Sequence, residues 1–251
     1  MNEETIIYVL FGVVIIWIIL FNHFRPLIKG KYGETKISIR LKWLNSKKYR
    51  VINNALIRIK SRSSQIDHVI ISKYGVFVIE TKNYKGWIFG HESSEYWTQT
   101  LYKNKYKLRN PVSQCWGHIK TLKTALTEFS NIPYHPIVVF TGSAKLKKIT
   151  SKIPVIKANK LKRCIKRYSK EEYLSNDEVD QIYQKLLSLN STDKVSRRMH
   201  IKKAKYIHRK GIKYSSCPRC GGTLLLKNGK FGKFYSCSSY PRCDYSKSYR
   251  R

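Results

Sequence analysis

The pattern of apolar and polar positions begins with an unbroken apolar run. No charged residue lies between Thr5 and Phe24, and Ile6 to Phe21 is almost wholly apolar. Twenty helical residues rise about 30 Å, the thickness of a bilayer's hydrocarbon core, so the run predicts one transmembrane helix over residues 5–24. A cleaved signal peptide is the competing reading. The length of the run, the lack of a preceding basic residue and the lack of a small-x-small site after Phe21 count against it. Glu3 and Glu4 precede the run, and Arg25, Lys29, Lys31 and Lys36 follow it. The positive-inside rule then predicts a single-pass cell-membrane protein, with its N-terminus outside and all later domains cytoplasmic.

Beyond the run the pattern becomes β-rich. Tyr49–Ile59, with Val51, Ile52, Ile57 and Ile59, reads as a strand. Two β-branched runs follow, Gln65–Ser72 and Val76–Lys82, separated by a Tyr74-Gly75 step that reads as a hairpin turn. Gly86 and Gly90 bracket a short strand at Trp87-Ile88-Phe89, and Pro136–Phe140 reads as a fully buried strand.

Helical spacing appears twice. Asn110-Pro111 is an N-cap followed by a first-turn proline, and Val112, Cys115, Ile119, Leu122 and Leu126 then recur at helical intervals. Ser175 to Glu178 caps a second amphipathic helix through Val179, Ile182 and Leu186, which closes the domain near residue 190. Around Glu34 the local pattern is strand-like, because Ile37, Ile39, Leu41 and Trp43 alternate with period two.

Charge narrows the partner. The 251 residues hold 50 Lys and Arg against 15 Asp and Glu, a formal net charge of +35. Such a chain repels itself unless polyanions screen it, which points to nucleic acid, with anionic lipid as a second sink.

The hairpin carries the candidate chemistry. With Tyr74-Gly75 as a two-residue loop, Val69 would pair with Glu80 and Asp67 with Lys82. Asp67, Glu80 and Lys82 then share one face at the end away from the turn. A satisfied salt bridge is the plain explanation. The functional one is phosphodiester hydrolysis, in which Asp67 and Glu80 bind Mg²⁺ or Mn²⁺ and Lys82 orients or deprotonates water, or stabilises developing charge.

The blocks Gly30–Glu34, Val51–Asn54, Gln65–Val69, Gly75–Tyr84, Gly86–Gly90, Trp97 and Asn110–Gln114 together resemble the nuclease-related domain (NERD) family. The resemblance implies a PD-(D/E)xK, restriction-endonuclease-like α/β fold with a mixed central sheet. It further implies a helix, not a strand, around Glu34. By the same resemblance Glu34, Asp67, Glu80, Lys82 and Gln114 are the catalytic set, with magnesium on Asp67 and Glu80.

From Ser191 to Lys213 apolar content collapses into a basic segment, readable as a solvated tether or a phosphate-tracking arm. The C-terminus holds Cys217-x2-Cys220 and Cys237-x5-Cys243, sixteen residues apart, which suits one structural Zn²⁺ on four thiolates. A reducing cytoplasm favours metal over disulfides here, and Cys115 and Cys164 read as buried free thiols. The tail, Cys217–Leu224, Gly229–Cys237 and Tyr240–Cys243, is similar to the zinc ribbons of type IA topoisomerases. That similarity implies single-stranded DNA binding through Arg219, Lys230, Lys233, Phe234, Tyr235 and Arg242, although such aromatics also serve as core filling.

The expected order is therefore a transmembrane helix at 5–24, a nuclease-like domain at 28–190, a basic linker at 191–214 and a C4 zinc ribbon at 215–251. The expected function is metal-dependent DNA cleavage at a membrane. A catalytically inactive, membrane-tethered DNA-binding protein is the alternative.

Overall fold

The structure is a computed structural model that describes residues 3–59, 62–129, 132–190, 217, 224–229 and 232–249. The basic linker at 191–214 lies outside the described residues.

The chain starts with helix α1 (Glu3–Leu41), a single element of 39 residues. The apolar run occupies its first half. The helix then continues through Arg25, Lys29, Lys31 and Glu34 into the domain, where Ile37 and Leu41 are buried. Among the described residues no helix is long and apolar enough to cross a membrane. The transmembrane segment, and the single-pass membrane localisation and orientation derived from it, are corrected accordingly. The sequence window ended at Phe24, but the helix does not, and its second half is strongly charged.

The strand-like alternation around Glu34 also gives way to helix. Ile37 and Leu41, four apart, are buried, whereas Ile39 and Trp43 are exposed, which is helical and not strand geometry.

The core is a five-stranded sheet in the order β1 (Tyr49–Ile59), β2 (Arg62–Ser72), β3 (Gly75–Lys82), β7 (Tyr134–Phe140) and β9 (Val155–Lys157). β1–β2–β3 are antiparallel and β3–β7–β9 parallel, so the sheet is mixed as expected. One face packs on α2 (Pro111–Ala125) and α4 (Asn176–Leu189), burying Val76, Val78, Ile119, Leu122 and Ile182. The other packs on α1 and α3 (Leu161–Tyr168), burying Phe77, Ile79, Ile37, Leu41 and Leu161. Cys115 and Cys164 are buried free thiols within these layers.

A second sheet flanks the first, in the order β6 (Asn104–Arg109), β5 (Tyr96–Leu101), β4 (Trp87–His91) and β8 (Lys145–Thr150). Its inner side sets Ile88 and Trp97 against Val112 and Cys115 of α2. A side chain at Gly90 would strike the Trp97 ring at 2.1 Å, so only glycine lets that tryptophan lie flat on β4. The tail forms a small sheet of β10 (Leu224–Gly229), β11 (Gly232–Cys237) and β12 (Ser246–Ser248).

The hairpin register differs from the expected one by two residues. Ser72 pairs with Gly75, Ile70 with Phe77 and Val69 with Val78, so Lys73-Tyr74 form the loop. Gly75 takes φ +111 as the first residue of β3, a conformation that favours glycine. A shift of two preserves face parity, so the carboxylates still converge.

Candidate nuclease site and metal centre

The site forms where β2 and β3 part. Their pairing ends at His68 and Ile79, so the next β3 amide loses its ladder partner. Asp67 supplies one, its Oδ2 accepting the Thr81 N–H at 2.7 Å. Glu80 and Lys82 share the strand face of Val76 and Val78, so both point toward α2. Lys82 Nζ donates to Glu80 Oε1 at 2.6 Å, in surroundings that leave the Glu80 side chain 5% exposed.

Helix α2 supplies two further groups. Its start is fixed by the fully buried Asn110, whose Oδ1 accepts the Val112 and Ser113 N–H groups. Asn110 Nδ2 donates to the carbonyls of Glu92 and Ser94. From that anchor Gln114 and His118, one turn apart, face the hairpin. His118 Nε2 lies 3.0 Å from Glu80 Oε2, and His118 Nδ1 lies 2.7 Å from Ser64 Oγ. Sequence reasoning missed His118. Its signal was the four-residue step from Gln114, with no distinctive motif of its own.

Helix α1 brings Glu34. Gly33 sits so close to the end of β3 that a Cβ there would meet Asn83 Cβ and Thr141 Oγ1, both at 2.8 Å. Asn83 Nδ2 also donates to the Lys29 carbonyl at 2.7 Å, tying the helix to the strand end. Glu34 is thereby half-buried and within electrostatic range of Glu80 and Lys82.

The charges are unequally shared. Burial, then the charges of Glu80 and Glu34, push Asp67 up to about 8, although the Thr81 amide and Lys82 oppose this. Burial works to raise Glu80, yet Lys82 and His118 outweigh it and hold that carboxyl at about 2. Burial works against the charge on Lys82, but Glu80 more than compensates and its pKa is raised. Glu34 is raised, chiefly by burial and then by Glu80. Beside the site, burial lowers His68 to about 4, and its Nδ1 lies 2.7 Å from Asn53 Oδ1.

Three carboxylates thus converge on one lysine. Gln114 Oε1 is buried beside α2 without a hydrogen-bond partner among the described residues. Hard oxygen donors in excess of cations fit a divalent ion of the Mg²⁺ type, whose charge would restore ionisation of Asp67.

In the tail, Cys217, Cys237 and Cys243 are buried with their sulfurs within 4.8 Å of one another. Cys217 and Cys243 Sγ are 3.7 Å apart, close to the edge of about 3.8 Å expected of a tetrahedron with Zn–S bonds near 2.3 Å. The geometry fits structural zinc and replaces the compartment argument for metal over disulfide. Cys220, Arg219 and Lys230 lie outside the described residues. Lys233 and Arg242 are exposed, Phe234 is half-buried, and Tyr235 packs on the cysteine cluster.

Comparisons with known proteins agree with this division. The nuclease-related domain family matches residues 29–141, and the topoisomerase DNA binding C4 zinc finger matches residues 215–251. An uncharacterized protein of Bacillus anthracis is 35% identical over 192 residues, covering 75% of this chain and 88% of its own length. DNA topoisomerase 1 of Helicobacter pylori is 53% identical over 32 residues, 13% of this chain and 4% of that enzyme. DNA topoisomerase 1 of Methanocaldococcus jannaschii is 57% identical over 30 residues, 12% of this chain and again 4% of that enzyme. No solved structure matches the chain.

Proposed function

Taking as premise that the chain belongs to the nuclease-related domain family and ends in a topoisomerase-type C4 zinc finger, we propose that it binds DNA and hydrolyses its phosphodiester bonds. The observation that carries this reading is the buried Glu80–Lys82 pair at 2.6 Å, set beside Asp67 at the open end of the β2–β3 hairpin.

Asp67 and Glu80 would hold Mg²⁺ or Mn²⁺, with Glu34 and Gln114 Oε1 as further oxygen donors to the ion or its waters. Bound there, the ion supplies Lewis acidity and an activated water. The raised pKa of Lys82 favours an ammonium, a donor that orients water and stabilises the extra negative charge on the phosphorus-bound oxygens. His118 holds the second oxygen of Glu80 and so fixes the orientation of that carboxylate. Water oxygen bonds to phosphorus as the bridging P–O bond breaks; the water gives up a proton to bulk solvent, and the departing alkoxide takes one up from solvent. The zinc ribbon grips DNA and takes no part in the chemistry.

A second reading, a DNA-binding protein without catalysis, has its own observation. The hairpin groups are already engaged with one another: Glu80 with Lys82 and His118, and Asp67 with the Thr81 amide. Purified protein incubated with plasmid, linear and single-stranded DNA plus Mg²⁺ or Mn²⁺ separates the two. Cleavage by wild type, reduced about 10²- to 10³-fold in Glu80→Gln, supports hydrolysis. Equal cleavage by both, or none on any substrate, defeats it, and DNA binding retained in the latter case supports the second reading.

A further inference from the structure

We propose that the outward face of the β6–β5–β4–β8 sheet is a platform for single-stranded DNA, separate from the zinc ribbon. The proposal deepens the function given above and rests on it for the identity of the polymer.

The register builds this face row by row. Lys105 lies across from Thr100, Thr100 from Trp87, and Trp87 from Lys145. The next row runs Lys107, Thr98 and Phe89, and the third sets Arg109 beside Tyr96. Strand alternation sends the intervening residues inward, and there Ile88 and Trp97 are buried against α2. Lys147 confirms the parity on β8, since its Nζ stands 4.9 Å over the Trp87 ring.

The outward face is therefore made of lysines, threonines and aromatic rings, with no carboxylate. The only acidic residues between Trp87 and Arg109 are Glu92 and Glu95, both in the β4–β5 connection. Lys105, Lys107, Lys145 and Lys147 make no ion pair among the described residues. Uncompensated like charges on one sheet face repel, and a polyanion relieves that repulsion.

The rings decide the form of the polyanion. Trp87 and Tyr96 are each about half exposed, at 49% and 48%. Flat rings on an open sheet stack on unpaired bases, which a duplex keeps stacked on each other. A base over Trp87 would take the place of Lys147, freeing that ammonium for a phosphate. The platform also adjoins the carboxylate site. Only four residues separate Lys82 from Trp87, a reach of at most about 18 Å.

The test uses the full chain with its ribbon zinc in place and no added Mg²⁺ or Mn²⁺, with labelled dT20 and a 20-base-pair duplex as probes and fluorescence anisotropy as readout. Lys105→Glu with Lys107→Glu should raise the Kd for dT20 at least tenfold and lower the salt slope by about 1.4, two phosphates at about 0.7 each. Trp87→Ala should weaken dT20 about fivefold or more and change duplex binding less than twofold. Iodouracil crosslinking of wild type should capture peptides containing Trp87 or Tyr96. Wild-type affinity and slope in the lysine variant, equal weakening of duplex by Trp87→Ala, or crosslinks confined to the zinc ribbon would each overturn the platform. Melting temperatures confirm that the variants fold. Because the carboxylate site is given no Mg²⁺ or Mn²⁺, the outcome is independent of cleavage. A protein that binds this way and cuts nothing keeps the platform and loses the nuclease reading, while one that cuts but ignores these substitutions does the reverse.

Discussion

Asp67 accepts the backbone N–H of Thr81 at 2.7 Å at the point where the β2–β3 ladder ends, so one carboxylate closes the sheet and borders the candidate site. This double duty sets its protonation. Burial and Glu80 raise its pKa from 3.8 to about 8, so the metal-free folded protein holds a proton that the unfolded chain releases.

The sign of the pH dependence follows. The stability contributed by protonated Asp67 is fully present below about pH 4 and is lost as pH rises through about 8. The slope is at most on the order of 1.4 kcal/mol per pH unit. Thermal melts without added Mg²⁺ or Mn²⁺ from pH 6.5 to 9 should show a falling midpoint in wild type and a flatter profile in Asp67→Asn; below that range His68, lowered by burial to about 4, contributes the opposite slope. Glu80, depressed to about 2, loses its contribution only as pH falls toward 2, outside that window. Added Mg²⁺ should restore wild-type stability at pH 9 more than at pH 6, because ion binding must displace the Asp67 proton. Parallel wild-type and Asp67→Asn profiles would show that Asp67 does not titrate in this range.

The Glu80–Lys82 pair makes a separate prediction. Removing Lys82 leaves a carboxylate that is 5% exposed with only His118, and Lys82→Met should cost about 3 kcal/mol. Glu80→Gln together with Lys82→Met should cost less than the sum of the two single changes, since neither partner is then left charged and alone. Urea unfolding of the four proteins reads the coupling, and strict additivity would mean that the pair does not interact.

Much of this arrangement was legible in the sequence because local grammar and tertiary structure agree. Asn110-Pro111 caps α2, Ser175 and Glu178 form the capping box of α4, and alternating β-branched runs give the hairpin. Where they disagree, the sequence misleads. The end of the apolar run at Phe24 looked like the end of a helix, but helical backbone continues to Leu41 because Ile37 and Leu41 have a core to enter. β6 was not expected, since its Lys105, Tyr106 and Lys107 are held by pairing with β5 and none of them enters the core. Asn54, at φ +54, marks where β1 changes face: Ile52 and Ala55, three apart, enter the same core layer. Such a switch has no pattern before the fold is known.

His118 touches both Glu80 and Ser64, and its role is to position. His118→Ala should weaken Mg²⁺ affinity about 10- to 100-fold with a smaller effect on turnover at saturating metal. His118→Gln, which can still donate to Glu80, should recover part of that affinity. Isothermal titration with Mg²⁺ or Mn²⁺ measures it, and unchanged affinity in His118→Ala would remove the histidine from the metal site.

Gly33 tests whether Glu34 belongs to the same site. A methyl group there meets Asn83 Cβ and Thr141 Oγ1 at 2.8 Å, and Asn83 is held in place by its bond to the Lys29 carbonyl. Relief requires α1 to move off the end of β3, taking Glu34 with it. Gly33→Ala should therefore cost about 1–3 kcal/mol of stability and weaken metal affinity about as much as Glu34→Gln does. A control at Gly30, on the same helix with open space around it, should do neither beyond the small intrinsic gain of alanine in a helix. Should Gly33→Ala lower stability alone, with metal affinity intact, the α1 carboxylate is outside the site and the ion rests on Asp67 and Glu80.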